Sequence, residues 1–437
     1  MPTPSLILVP ARFKSGKLYT QVATTTGGVA LGSSGDFNVT RATTATRVNA
    51  NGLIESVASG IPRLDYYTSG GTAGCPALLV EPQAQNLVPN GVGFTSSTGV
   101  QTSGITDSPA VAISGTVVTK NEASGTIRYL GQNFSASALA SGTTYTVSRF
   151  FKYNGVAFNT SIEHNNAAQW GGVGWVQAVV LSAASGVTLG ASTLCTGSIE
   201  NFGNGWHRVN VRVTTGAAIS GAATVAVLSI LPAALSTGQG FLTACPQLEV
   251  GSVATSYIPT TSAAVTRNAD VINLSGAVSG CIGQTQGTIY CEFAYFGQPV
   301  IRSGPIYLRQ ASLKGLSINS APGEGIVFIS RNDGGNTSLI VVSGALQIGT
   351  YYKIAVGYDA GGTAAGGSQA SGVVAYVNGT QAAIGTFQVP DAAGLTEFRM
   401  YGGNAGIDTE AFNGRIRSAA IYTTRLTNAQ LQALTTL

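Results

Sequence analysis

The richest chemistry in the sequence lies between positions 163 and 177. The run EHNNAAQWGGVGWVQ brings Trp170 and Trp175 together with Asn165, Asn166 and Gln169. Flat rings stack on the apolar C–H faces of sugars, and amides hydrogen-bond the hydroxyls around them. Gly171, Gly172 and Gly174 free the backbone to open such a platform. The same rings are equally suited to the core of a β-sandwich. The run therefore reads as a glycan-binding surface or as core.

Catalytic groupings are scarce. The 18 acidic residues are scattered, and Asp408 and Glu410 are the close pair. On a strand, i and i+2 face the same way, about 6.6–7 Å apart at Cα, near the separation of carboxylates in inverting glycosidases. Gly402, Gly403 and Gly406 favour a solvated loop there instead. Of the two histidines, His207 sits between Trp206 and Arg208 on an apparent strand and reads as structural, and His164 falls in a loop. No Gly-x-Ser-x-Gly elbow is present, and the glycine-rich 360–372 lacks the Lys-Ser/Thr ending of a phosphate loop, so it reads as a hairpin loop. Cys75, Cys195, Cys245, Cys281 and Cys291 are odd in number and without CxxC spacing. They read as buried free thiols, with a cross-strand Cys281–Cys291 pair as the alternative.

Alternation dominates the elements that must position these residues. TYTVSRFFKY (144–153), HRVNVRV (207–213), ATVAVLSI (223–230), YYKIAVGY (351–358) and GVVAYVNG (372–379) are β-branched or aromatic with period two, punctuated by Gly, Asn, Ser and Thr. Helical periodicity is confined to TNAQLQALTTL at the end, where Thr427 or Asn428 suits an N-cap. The predicted class is all-β: an N-terminal segment over 1–89, a β-sandwich of jelly-roll type over 90–260, a polar linker over 261–269, and a second sandwich over 270–437. In the second strand-rich block's predecessor, Trp206 opens a strand of alternating faces, and Gln247 and Glu249 share one face of another.

Charged residues are 9% of the chain, against roughly 25% in an ordinary soluble domain, and the net charge is +4. No basic cluster exists, which argues against a nucleic-acid partner. The apolar run Leu6 to Val9 is too short for a signal-peptide core. No stretch approaches the roughly 20 apolar residues of a membrane helix, so no membrane insertion is expected.

Three stretches carry resemblances. In residues 40–88, Arg41, Gly52, Leu53, Ile54, Glu55, Pro62, Arg63, Asp65, Tyr66, Leu79, Glu81, Pro82, Asn86 and Leu87 match an N-terminal module that is common in tail-fibre, spike and head-fibre proteins of tailed bacteriophages. WHRVNVRVT (206–214) with PQLEVGSVATSYIPTT (246–261) is similar to the last strands of a carbohydrate-binding-module-like jelly roll. AFNGRIRSAAIYTTRLTNAQLQAL (411–434) resembles the closing strand and helix of laminin-G or concanavalin-like domains. Glycosidases of that last family usually carry a Glu-x-Asp-x-x-Glu run, which is missing here. The resemblance to laminin-G domains also implies a possible rim calcium, with Asn404, Asp408 and Glu410 as ligands and Asp359 from another loop; no other cofactor is implied.

Together these resemblances imply a non-enzymatic structural protein on the surface of a phage virion, assembled in the host cytoplasm. Residues 1–89 would attach it to other virion proteins, and low surface charge favours a homotrimer. The two sandwiches would project outward and adhere to glycans. The alternative is a dedicated glycan-binding receptor-recognition protein at the tail tip.

Overall fold

A computed structural model of the chain describes, with side chains, residues 2–10, 37–68, 74–89, 139–152, 196–203, 205–216, 244–275, 280–296, 304–310, 315–319, 325–330, 346–360, 372–385, 394–400 and 412–436, and it places the backbone of further strands between them. The class is all-β. Among the described residues the one α-helix is Asn428–Thr435, and no helix is long and apolar enough to cross a membrane. Thr427 caps it: its Oγ1 accepts from the backbone N–H of Gln430, and the Gln430 side chain accepts from the backbone N–H of Thr427.

The C-terminal half is built on two nine-stranded antiparallel sheets. Between them lies a core that includes Phe37, Ile289, Phe293, Phe328, Val356, Phe398 and Ile416, each at most 2% exposed. The strand Gly414–Tyr422 is central. One of its edges pairs with Gln286–Tyr295. Its other edge is completed by two short strands from far upstream: Ala77–Val80 lies against 414–416, and Leu6–Leu8 against 419–421. The opposite sheet also takes a strand from the N-terminal segment, because Phe37–Thr40 pairs with Val271–Ser275.

Residues 1–89, expected as a separate attachment segment, thus supply strands to both sheets of the C-terminal sandwich. Their short strands satisfy their backbone groups within the chain. The stretch 261–269 was expected as a linker. It holds a strand, Val265–Arg267, paired with Ala84–Asn86, and the Arg267 side chain is fully buried. Residues 261–264 are exposed and irregular, as the composition suggested, whereas Arg267 is an internal partner.

The first strand-rich block forms two six-stranded sheets. One runs in the order Val100–Ile105, Gly115–Lys120, Gly240–Val250, Thr144–Lys152, Trp206–Thr214, Thr196–Gly203. In Thr144–Lys152 both faces are buried. One face carries Tyr145, Val147 and Phe151 together with the fully buried Arg149. The other carries Thr146, Ser148 and Phe150, opposite Arg212, Asn210 and Arg208. This second face is covered by the hairpin Ala45–Val48/Ile54–Val57, because Val48 and Ile54 pack with Phe150, Phe202, Trp206 and Tyr257. The hairpin turns at Asn49–Gly52. There Asn49 Oδ1 accepts from the N–H groups of Asn51 and Leu53, and Gly52 takes φ 77°, a conformation that glycine adopts at little cost.

Among the described cysteines all four are free. Cys245, Cys281 and Cys291 are buried as expected, but Cys75 is exposed. Cys281 and Cys291 do not pair.

Candidate functional site

Among the described residues, the largest concentration of buried charge lies where the N-terminal segment meets the ends of both strand-rich blocks. Arg41, Arg63 and Arg267 converge there on Glu81 and Asp270, and each of the five is at most 4% exposed. Arg41 Nη1 donates to Asp270 Oδ1 at 2.9 Å, and Arg41 Nη2 donates to the Ala58 carbonyl at 2.6 Å. Arg63 forks: Nη2 pairs with Asp270 Oδ2, while Nη1 donates to Glu81 Oε2 at 2.7 Å and to the Thr46 carbonyl at 3.1 Å. Arg267 Nη2 donates to the Pro82 carbonyl at 2.7 Å and lies 3.5 Å from Glu81. Backbone groups lock the acids together. The Glu81 N–H donates to Asp270 Oδ2, and the Asp270 N–H donates to the Glu81 carbonyl, both at 3.0 Å.

Burial alone would raise both carboxyls. The neighbouring guanidinium groups overcome it, so Asp270 sits below its ordinary value and Glu81 well below. For Arg63 the balance also favours charge: burial works against the guanidinium, and Asp270 and Glu81 outweigh it. Burial prevails for Arg267 and Arg41, whose values fall despite the same acids.

The closing segment of the first block is tied into this hub. The Ser256 N–H and Oγ donate to the two Glu81 oxygens at 2.7 and 2.6 Å. Gln247 and Glu249 do share one buried face, as their spacing implied, and they hold the loop that follows. Gln247 Oε1 accepts from the Ile258 N–H at 2.7 Å. Glu249 accepts from the N–H and Oγ1 of Thr255 at 2.9 and 2.5 Å. Burial raises the Glu249 carboxyl, and its hydrogen bonds to Thr255 and Gln247, together with the charge of Arg208, only partly offset this. Asn86 bridges the same turn, donating to the Ile258 carbonyl at 2.9 Å and accepting from the N–H groups of Val88 and Leu248.

Beside the hub opens a cleft with about 50 Å³ of water-accessible space. Its walls come from three regions: Arg47, Val48, Asp65 and Glu81; Glu200, Phe202, Arg208 and Thr255–Tyr257; and Phe296 and Arg415. Arg415 pairs with Asp65 and lies over the rings of Tyr67 and Phe296, 4.7 and 4.3 Å from their centroids. Asp65 also accepts from the Val48 N–H at 2.7 Å.

Of the sequence-predicted glycan residues, Asn165, Asn166, Gln169 and Trp170 lie outside the described residues. Trp175 begins the strand Trp175–Ala183, opposite Glu163, and its side chain lies outside them too. The calcium candidates Asn404, Asp408 and Glu410, and His164, are likewise outside. Asp359 ends the strand Tyr351–Asp359, which pairs with Gly372–Val377; residues 361–371 between them are not among those described. Trp206 does open its strand and is fully buried. His207 stacks on Phe151 at 5.6 Å, its Nδ1 is 3.1 Å from the Gly205 carbonyl oxygen, and burial lowers its pKa. The hub residues Arg267 and Asp270 went unrecognised as functional in sequence. The available signal was an Arg and an Asp three apart in an otherwise uncharged stretch.

The described residues form an all-β protein of several antiparallel sheets. Residues 300–432 match the Laminin_G_3 family model, described as the concanavalin A-like lectin/glucanases superfamily. Among solved structures, the CBM40 of the Ruminococcus gnavus IT-sialidase is similar at 18% identity, over 36% of this chain and 85% of that one, with a TM-score of 0.29. Domain 4 of AbnA, a GH43 extracellular arabinanase from Geobacillus stearothermophilus solved with arabinotriose, is similar at 19% identity over 42% and 82%, TM-score 0.30. Mouse laminin α1 domains LG4-5 are similar at 11% identity over 81% and 92%, TM-score 0.24. No curated protein matches the chain.

Proposed function

We propose that this chain is a non-enzymatic structural protein of a particle surface, of the kind that decorates tailed phages as fibre, spike or capsid component, and that its strand-rich blocks contact glycans. The observation that carries the reading is the use of the buried acids. Asp65, Glu81, Glu249 and Asp270 are each committed to arginines, hydroxyls or backbone N–H groups that hold segments together. Carboxylates engaged in this way build a framework and leave no acid–base pair at that junction. The lectin/glucanase description of residues 300–432 supports a glycan-contacting role. So does the aromatic and amide run 163–177.

In this reading residues 1–89 join the particle as part of the same body as the C-terminal sandwich, and copies assemble as homotrimers. The test has two arms. Cryo-electron microscopy of the particle should place the chain on its surface in threefold clusters; isolated copies, or absence from the particle, would contradict the assembly role. On a glycan array the full chain should bind, and Trp170→Ala or Trp175→Ala should weaken binding by about 1–3 kcal/mol, by analogy with base stacking on aromatics. Unchanged binding with a large fall in melting temperature would make those rings core.

A further inference from the structure

The wall of the junction cleft is chemically mixed. Phe202 and Phe296 stand beside Arg47, Glu200, Arg208 and Arg415. Three of these reach the rim. Phe296 and Glu200 are partly exposed, and the Arg47 side chain is 18% exposed and paired with Glu55. Deeper in the wall, Arg208 is 6% exposed and donates through Nη2 to Ser148 Oγ and the Thr255 carbonyl, at 2.8 and 2.6 Å. Its Nε has no hydrogen-bond partner. A buried guanidinium N–H without an acceptor is costly. The Glu200 carboxylate receives Asn210 Nδ2 at 3.0 Å and retains capacity for further donors.

We infer that this cleft is a second glycan subsite, taking an exocyclic group of a sugar residue whose ring lies at the mouth against Phe296. The chemistry is specific in kind. The lining offers guanidinium donors on one side and a carboxylate acceptor on the other, so an occupant must both accept and donate. A polyhydroxylated sugar does both, whereas a simple anion would satisfy the arginines and meet Glu200, Asp65 and Glu81 unfavourably. About 50 Å³ admits a hydroxymethyl or acetamido substituent but not a whole ring. The inference deepens the glycan-contacting reading and rests on it.

Saturation-transfer NMR on the full chain tests it, with galactose and N-acetylglucosamine as separate probes. The variants are Glu200→Gln, Phe296→Ala and the double variant Trp170→Ala/Trp175→Ala, each checked by thermal melting. At least one sugar should bind the wild type. Glu200→Gln should weaken it about tenfold, the loss expected for one charge-assisted hydrogen bond, and the double-tryptophan variant should retain transfer from the cleft. Binding abolished by the tryptophan changes and untouched by Glu200→Gln and Phe296→Ala would overturn the cleft and leave the glycan reading standing. A wild type that binds no sugar on either the NMR panel or the array would overturn both.

Discussion

Arg63 touches Asp270, Glu81, Ser256 and the Thr46 carbonyl, and so reaches a residue 207 positions away in sequence. Removing one member of a buried ion pair leaves its partner charged and unmatched, which costs about 3–5 kcal/mol. Arg63→Ala and Asp270→Asn should each lose stability in that range in urea unfolding. Arg47→Ala, which breaks a partly exposed pair with Glu55, should lose no more than about 1 kcal/mol. Equal losses at the two sites would contradict the assignment of the hub as the main electrostatic framework.

The hub also sets a pH dependence. Asp270 and Glu81 have lowered folded pKa values. Their contribution is full above the unfolded carboxylate pKa, about 4, and is lost as pH falls through the folded values. Glu249 has a raised folded pKa. Its contribution is present below the unfolded value and is lost as pH rises through the folded one. Stability should therefore peak at mildly acidic pH. Glu249→Gln should flatten the neutral-side decline, and Asp270→Asn should flatten the acid-side fall; a wild-type profile level from pH 3 to 8 would contradict both.

These residues were legible in part. Arg41, Arg63, Asp65, Glu81 and Asn86 all belong to the stretch 40–88 that stands out in the sequence; each is buried, and each holds a distant backbone group or charge. Their partners Arg267 and Asp270 carry only a weak signal, an Arg and an Asp three apart in TTSAAVTRNAD, which does not distinguish a solvated charge from one completing a buried network.

At the scale of elements, the strand Gly414–Tyr422 organises the C-terminal half. Gly414 itself has no room for a side chain: a Cβ there would overlap the Ala294 carbonyl and the Phe412 ring. Gly414→Ala should therefore cost about 1–3 kcal/mol through forced backbone displacement, read as a lowered melting temperature. The same strand depends on Leu6–Leu8, whose Leu6 and Leu8 are fully buried. Deleting residues 1–10 would bare the 419–421 edge, an unpaired template for aggregation. The truncated chain should be poorly soluble and protease-sensitive in Gly414–Tyr422, and a soluble, protected product would contradict the pairing. Period-two alternation revealed the long strands 144–152, 206–214 and 351–359, and the capping residues revealed the helix. Two- to four-residue strands such as Leu6–Leu8 and Ala77–Val80 are too short to establish a period. Which partner they complete depends on contacts more than 300 residues away in sequence, so 1–89 read as a detached segment.

For the whole molecule, the central claim is that the N-terminal motif locks the first block and the C-terminal sandwich into one cooperative body. It covers the outer face of the sheet carrying Phe150 and Trp206, completes both sheets around Phe293 and Phe398, and meets both in the hub. A particle-surface protein built in this way would present its binding loops at fixed separation. The most direct measurement is native-state hydrogen exchange by mass spectrometry on the wild type and Asp270→Asn. Peptides from Thr144–Lys152 and Gln286–Tyr295 should open with the same free energy in the wild type, and both should lose protection by the same amount in the variant. Separate opening free energies in the wild type, with the variant affecting only one of the two strands, would contradict the account.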